Sequence, residues 1–105
     1  MNPAENGKGE RGVEPGKAER QCEIVNKLGL HARAAAKLVR LANGFSSEIR
    51  LERDGVEVNG KSIMGVLMLA AHRESFVSVR AEGPDASEAV DAIGRLIAAK
   101  FEEAE

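Results

Sequence analysis

The fold of this chain is decided by residues 21–43, which read QCEIVNKLGLHARAAAKLVRLAN. The first part, CEIVNKL, is short and partly β-branched and ends at Gly29, which predicts a strand followed by a turn. In residues 32–43 one apolar stripe recurs at i, i+3, i+4 and i+7, which predicts an amphipathic helix. The stripe consists of Ala35, Leu38, Val39 and Ala42. Asn43-Gly44 is typical of the C-cap that ends such a helix.

A β-hairpin and a short helix are predicted next. Residues 47–53 alternate apolar and charged side chains, which is typical of a strand with one buried face. Asp54-Gly55 suits the tight turn that leads into a return strand. Ser62 is the predicted N-cap of a short second helix over residues 63–71.

A last strand and a last helix complete the predicted domain. Residues 75–82 alternate again, and the helix that follows is capped by Asp85 or Ser87. Its predicted buried face consists of Ala89, Ile93, Leu96, Ile97 and Phe101. The order β-α-β-β-α-β-α predicts an α+β fold with a four-stranded antiparallel sheet. We expect three helices on one face of this open-faced sandwich, and water on the other.

Residues 1–20 differ in composition from the rest of the chain. They contain two prolines and four glycines, their charges balance, and no apolar positions recur periodically. Such a segment cannot bury enough apolar surface to offset the entropy of ordering it. We therefore expect a disordered arm over residues 1–20, without an assigned role, and one domain over residues 21–105.

Composition limits the possible functions. The net charge is −2 and aromatic residues make up 3%, with no Trp or Tyr, which disfavours binding of nucleic acid. The chain lacks the roughly 18 consecutive apolar residues of a membrane span and shows no signal peptide, so we expect a cytoplasmic protein that binds no membrane. One cysteine and two histidines are too few for a common zinc site. We expect Cys22 to be a buried small hydrophobe, no metal or organic cofactor, and a monomer.

His31 is the strongest candidate for chemistry, because it lies where the predicted turn becomes the first turn of a helix. The first backbone N–H groups of a helix lack intrahelical partners and form an anion site, which a phosphoryl group on His31 would meet. A neutral imidazole nitrogen can attack a phosphoryl donor, and the guanidinium of Arg33 can bind phosphoryl oxygens. The residues alone favour the simpler interpretation, in which His31 is only a polar residue at a helix start and Arg33 is a solvated charge.

Residues 55–62, GVEVNGKS, satisfy the P-loop pattern G-x-x-x-x-G-K-[ST]. A phosphate-cradling loop follows a hydrophobic strand and is itself rich in glycine. Here the intervening residues alternate as a strand and Asp54-Gly55 forms its hairpin turn. We therefore reject an ATPase function.

Two segments resemble one protein family. GLHARAAAKLV, residues 29–39, resembles the active-site pattern Gly-Leu-His-Ala-Arg-Pro-Ala of HPr, the histidine-containing phosphocarrier of the bacterial phosphoenolpyruvate-dependent phosphotransferase system. NGKSIMGV, residues 59–66, resembles the second signature of that family, and the element order fits from about residue 21 onward. The resemblance covers about four-fifths of the chain and implies the HPr-like form of the α+β fold described above.

The resemblance implies a function for His31. It implies phosphorylation at Nδ1 by Enzyme I, the phosphoenolpyruvate-protein phosphotransferase, and transfer to a IIA protein of a sugar or nitrogen system. Such a protein is a carrier and has no turnover of its own. Arg33 is implied as the phosphate partner, beside a phosphate-binding first turn made of Ala32, Arg33 and Ala34. Ala34 departs from the family pattern, which has proline there; a first-turn proline forfeits no intrahelical bond, so alanine should be tolerated.

Ser62 offers a second function. Its hydroxyl is fully explained as an N-cap, yet Lys61-Ser62-Ile63-Met64 resembles the site that HPr kinase/phosphorylase modifies in some family members. A phosphate there would act by repelling an acidic partner surface. The alternative function is thus a regulatory signalling module controlled by phosphorylation of His31, Ser62 or both. A third hypothesis is an interaction domain whose histidine is incidental.

The predicted second helix carries the expected docking residues. Ile63 and Leu67 are expected to face the core, whereas Met64 and Met68 can form a flexible apolar patch beside His31. In the family this helix contacts Enzyme I and IIA proteins, which implies a docking role for Met64, Met68 and Leu67. Core packing of the Met64/Met68 stripe is the competing interpretation. His72 is expected at the end of this helix, where an imidazole can cap a carbonyl.

Overall fold

The computed structural model describes residues 13–14 and 16–103. Five strands form one antiparallel sheet, and three α-helices lie between or after them. The strands are β1 (Val13–Glu14), β2 (Lys17–Glu23), β3 (Glu48–Arg53), β4 (Val56–Asn59) and β5 (Phe76–Glu82). The helices are α1 (Ala32–Ala42), α2 (Ile63–Met68) and α3 (Ala86–Ala98), and a 3-10 turn over Lys100–Glu102 follows α3.

The strand order in the sheet is β1-β2-β5-β3-β4. β5 lies in the centre and pairs with β2 and β3, with Gln21 opposite Ser78 and Leu51 opposite Val79. The alternation along these strands sends apolar side chains to one face, where α3 packs on β2 and β5 and α1 packs on α2 and α3. The predicted α+β arrangement is confirmed, with the two-residue β1 as an additional strand.

The other face of the sheet is polar. Arg80 on β5 forms ion pairs with Glu19 at 3.1 Å, Glu52 at 3.2 Å and Glu57 at 3.3 Å. These four side chains are at least partly exposed, so the ion pairs add little stability. Their charges keep this face of the sheet polar and in contact with water. The buried core of the described residues therefore lies between the sheet and the helices.

The ordered domain begins earlier than the predicted boundary at Gln21. Strand β2 starts at Lys17, and the side chain of Ala18 is buried in the core. Seven residue pairs join β2 to β5, and the ladder accounts for this order because backbone bonds hold polar residues in a strand as well as apolar ones. The predicted arm is thus wrong for residues 17–20, and residues 1–12 and 15 lie outside the described residues.

Helix α2 is shorter than predicted and ends at Met68. Ala70 has a φ of 51°, which is incompatible with continuing the helix, and the guanidinium of Arg53 donates to the carbonyl of Leu69 at 2.9 Å. Ile63, expected in the core, is 44% exposed, because Val66 is the residue of α2 that is fully buried. His72 consequently lies beyond the helix and does not cap it.

Asp85 precedes α3 but makes no side-chain cap bond to it. Its carboxylate instead accepts hydrogen bonds from the backbone N–H groups of Ser46 and Ser47, each at 2.9 Å, and from the Ser47 hydroxyl. The hydroxyl bond of Ser47, followed by the backbone bonds, lowers the pKa of Asp85 below its usual range. Asp85 thus joins the start of α3 to the segment before β3.

The core is aliphatic apart from Phe101, in agreement with the low aromatic content of the chain. Phe101, Ile24, Leu38, Ile49, Leu51 and Ile93 are among its largest fully buried side chains. Cys22 is buried on β2 as expected, and burial raises the pKa of its thiol. Leu96, predicted on the buried face of α3, is only partly buried at the edge of the core. Among the described residues, no helix is both long and apolar enough to cross a membrane.

Candidate functional site

The loop between β2 and α1 is held in place by backbone contacts on both sides. Gly29 has a φ of 68°, and a Cβ at this position would lie 2.6 Å from the carbonyl oxygen of Ala71. The N–H of Leu30 donates to that same carbonyl at 2.9 Å, and the buried Asn26 amide donates to the carbonyl of Gly29 at 2.8 Å. These contacts require glycine at position 29 and fix where the chain enters α1.

His31 is the N-cap residue of α1, with extended backbone angles of −78° and 178°. Its carbonyl accepts the first intrahelical bond from Ala35 at 2.8 Å, and its Nδ1 accepts a hydrogen bond from the N–H of Arg33 at 3.3 Å. Because Nδ1 is an acceptor here, a neutral ring carries its proton on Nε2. The Nδ1 lone pair therefore points toward the first-turn amides of α1.

The opposite ring nitrogen faces a residue that the sequence does not reveal. Nε2 of His31 is in short contact with Oε2 of Glu103, and the other carboxylate oxygen of Glu103 accepts from the Asn26 amide at 3.1 Å. The side chains of His31 and Glu103 are 27% and 14% exposed. The Asn26 amide group thus donates to both the Gly29 carbonyl and the Glu103 carboxylate, and its side-chain oxygen has no partner among the described residues.

Glu103 is ionised over the physiological range. Burial by itself would raise its pKa, but the hydrogen bonds from His31 and Asn26 and the charges on His31 and Lys37 bring the pKa below the usual value for a glutamate. Because the pKa of Glu103 is lower in the folded protein than in the unfolded chain, its ionised form stabilises the fold at pH values above the ordinary glutamate pKa. This contribution disappears as the pH falls through the lowered value. The Glu103 carboxylate is therefore charged at neutral pH, and its contribution to stability is lost in acid.

The predicted phosphate-binding residues occupy the first turn of α1. Ala32 and Arg33 are exposed, whereas the Cβ of Ala34 is buried in the core. Within the part of the chain that the structure describes, the Arg33 guanidinium forms no ion pair, so it is available to a ligand at the helix start. This turn presents N–H groups that have no intrahelical partner, beside a cation and the Nδ1 atom.

The structure separates the other predicted residues into different roles. Ser62 is the N-cap of α2, and its hydroxyl accepts from the N–H of Gly65 at 3.1 Å. Met64 and Met68 are 71% and 72% exposed, which excludes core packing of this stripe, and Leu67 is partly buried behind them. The ring of His72 instead contacts Arg53 at 3.2 Å.

The P-loop motif does not form a loop. Residues 56–59, in the middle of it, are strand β4, and Lys61 donates to the carbonyl of Phe45 at 2.7 Å. A nucleotide phosphate would need the backbone amides and the lysine of this segment free. The structure therefore agrees with the rejection of an ATPase.

Comparisons with known proteins identify the family. The family model "PTS HPr component phosphorylation site" matches residues 18–99. The phosphocarrier protein HPr of Cupriavidus necator is 53% identical over 87 residues, which is 83% of this chain and 98% of that protein. The phosphocarrier protein NPr of Shewanella violacea is 46% identical over 88 residues, 84% of this chain and 97% of its own length.

A solved structure agrees with these sequence relatives. The crystal structure of HPr-C-His from Thermoanaerobacter tengcongensis superposes with a TM-score of 0.80 at 47% identity, covering 83% of this chain and 98% of that one. The matched family region begins within β2, in agreement with the early start of the domain. Fold, sequence and family match thus coincide, and the chain belongs to the HPr family of phosphocarrier proteins of the phosphotransferase system.

Proposed function

We propose that this protein accepts a phosphoryl group on Nδ1 of His31 from phospho-Enzyme I and passes it to a IIA protein in the cytoplasm. The observation that carries the proposal is the orientation of the ring, whose Nδ1 is directed at the free end of α1. A nucleophile, an anion site and an exposed cation are brought together there. No turnover of the protein's own is required, because each acceptance is followed by a donation.

The transfer step is a nucleophilic displacement at phosphorus. The Nδ1 lone pair of His31 forms the new N–P bond, while the bond from phosphorus to the donor atom breaks and its electron pair leaves with the donor. The N–H of Arg33, which caps Nδ1 before transfer, is then available to a phosphoryl oxygen. The guanidinium of Arg33 supplies a charge-assisted bond to a second oxygen.

Phosphate incorporation tests this proposal directly. The protein is mixed with phosphoenolpyruvate and Enzyme I and its intact mass is recorded before and after brief acid treatment. We expect one acid-labile phosphoryl group per chain, and its removal when a IIA protein is added. Parallel additions of sugar-branch and nitrogen-branch IIA proteins identify the downstream system. A folded protein that takes no label from its cognate Enzyme I would overturn the proposal.

The docking surface consists of Met64, Leu67 and Met68. These side chains form an apolar patch on α2, which packs against α1. We expect Met64→Asp to raise the KM of Enzyme I for this protein roughly tenfold, because a charge would be desolvated at the contact, and to leave kcat near its original value. The measurement is the initial rate of phosphorylation against protein concentration.

Phe76→Asp is the matched control for this surface. Phe76 is 54% exposed and lies at the start of β5, with its side chain on the polar face of the sheet, opposite the face that carries the helices. Its replacement should leave the KM unchanged. Equal effects of the two substitutions would show that the docking surface is placed wrongly.

Ala34→Pro should leave phosphoryl transfer intact. Ala34 lies in the first turn of α1, and the first intrahelical bond is donated by Ala35, so proline at position 34 removes no helix bond. We expect the initial rate of phosphorylation to stay within about twofold of the original, since only backbone stiffness changes. Loss of acceptance in a variant with an unchanged circular dichroism spectrum would contradict this description of the first turn.

A regulatory function of Ser62 is the second candidate. The observation that favours it is position, since Ser62 is partly exposed and stands two residues before Met64 of the docking surface. A phosphate there would place a dianion beside the apolar patch and repel an acidic partner. Incubation with ATP and an HPr kinase/phosphorylase separates the two functions, because phosphoserine survives the acid treatment that removes phosphohistidine.

A further inference from the structure

The segment that follows α3 returns to the active end of the molecule. After Ala98 the backbone reverses through the positive φ angles of Lys100, Phe101 and Glu102. Phe101 is fully buried, and its carbonyl accepts a hydrogen bond from Lys37 of α1 at 2.8 Å. This anchoring brings Glu103 against His31, which is 72 residues earlier in the chain.

We infer that Glu103 is a positioning residue for phosphoryl transfer, which holds the proton of His31 on Nε2 and leaves the Nδ1 lone pair free. This inference rests on the proposed function of His31 as phosphoryl acceptor. Its basis is geometric: the carboxylate contacts Nε2, the Arg33 N–H contacts Nδ1, and Asn26 fixes the second carboxylate oxygen. A carboxylate that orients a histidine and stabilises its charged form does the same work in hydrolase triads.

The carboxylate matters because the charge of the ring changes during transfer. When the neutral ring attacks through Nδ1, the new N–P bond leaves the imidazole cationic with its proton still on Nε2. The Glu103 carboxylate balances that positive charge. In the return step the Nδ1–P bond breaks and its electron pair stays on Nδ1, so a ring that keeps the Nε2 proton leaves as neutral imidazole. A ring without that proton would have to leave as an imidazolate, which is a far poorer leaving group.

A pH dependence follows from this role. Glu103 delays loss of the Nε2 proton of phosphorylated His31 to higher pH, so the phosphohistidine stays reactive over a wider range. The other charged groups that the structure brings to this site are the cations Arg33 and Lys37, which oppose this effect, and Glu102, which pairs with Lys37 at 3.7 Å. The second histidine, His72, contacts Arg53 instead. Both cations are the same in the original protein and in the Glu103 variants, so the carboxylate of Glu103 sets the difference between them.

The test compares the decay of phosphohistidine in the original protein, Glu103→Gln, Glu103→Ala and Glu102→Gln. Each full-length protein is phosphorylated chemically with phosphoramidate, and the decay is followed by intact mass from about pH 6 to about pH 9. Glu103→Gln keeps an acceptor for Asn26 but removes the charge. Glu102→Gln removes an exposed neighbouring charge that does not touch the ring.

We expect Glu103→Gln to slow the decay roughly tenfold at mildly alkaline pH, which is the effect of losing one charged hydrogen-bond partner. The curve of decay rate against pH should shift to lower pH in Glu103→Gln. The curve for Glu102→Gln should coincide with that of the original protein. A second readout is the ¹⁵N and ¹H resonance of the His31 ring. The original protein should show a hydrogen-bonded Nε2–H that Glu103→Ala loses.

Unchanged decay profiles in both Glu103 variants would overturn the inference, as would a ring proton found on Nδ1 in the original protein. The chemical donor separates this outcome from failure of the proposed function. If Enzyme I fails to label the protein while the phosphoramidate-labelled variants differ as expected, the carrier function is wrong and the positioning by Glu103 stands. If Enzyme I labels the protein but the decay profiles of the Glu103 variants match that of the original, the carrier function stands and the role of Glu103 is rejected.

Discussion

Replacing His31 by alanine should abolish acceptance of the phosphoryl group from phospho-Enzyme I. No other described side chain presents a ring nitrogen at the first turn of α1, so no alternative nucleophile can reach the same anion site. The fold should survive. The variant loses an N-cap bond that costs about 1 kcal/mol, whereas a domain of this size is stable by about 5–15 kcal/mol. Intact mass after incubation with phosphoenolpyruvate and Enzyme I measures the loss.

His72→Ala is the matched control, because the chain contains two histidines. His72 lies beyond the end of α2 and directs its ring at Arg53, so its removal should leave the acid-labile label at one per chain. Retention of the label in His31→Ala and its loss in His72→Ala would transfer the proposed site to the other histidine. Loss in both variants with intact folds would point to an effect on Enzyme I docking.

The strand–turn–helix that carries His31 could be predicted because its signals are local. The apolar period of α1 and the turn at Gly29 act within a few residues, and the structure shows both. The alternation of apolar and polar residues in β3 and β5 is equally local, which explains why the predicted order of strands and helices agrees with the structure. Local signals of this kind fix the position of His31 at the start of a helix.

The start of β2 and the exposure of Ile63 could not be predicted from local pattern. Residues 17–20 read KAER, with one small apolar side chain, and their strand depends on pairing with β5 some sixty residues later. Ile63 has the spacing of a core residue, but α2 turns only Val66 fully inward. In both cases tertiary pairing outweighs local propensity.

Glu103 itself carried no sequence signal. It belongs to the acidic stretch FEEAE, and its contact with His31 depends on a backbone reversal through three non-glycine residues with positive φ. Such angles are uncommon outside glycine, and here they accompany the burial of the Phe101 ring. The one usable hint was that Phe101 continues the apolar face of α3 past the point where the helix ends.

Replacing Phe101 by alanine should therefore have the largest effect on stability. The ring is fully buried, and truncating a buried phenylalanine costs about 3–5 kcal/mol through lost transfer energy and a residual cavity. For a domain of this size we expect the melting temperature to fall by roughly 15 °C or more. The same change frees the segment that brings Glu103 to His31. Phosphohistidine decay in Phe101→Ala, measured below its melting temperature, should resemble that of Glu103→Gln.

Phe76→Ala separates burial from the mere loss of an aromatic ring. Phe76 lies at the start of β5 and is 54% exposed, so its truncation should change stability by about 0.5 kcal/mol and leave the decay profile unchanged. If the two phenylalanine variants have the same melting temperature, Phe101 is not the anchor of the segment after α3. If Phe101→Ala melts early yet decays as the original protein does, Glu103 reaches His31 without that anchor, and the coupling between core packing and phosphoryl chemistry is wrong.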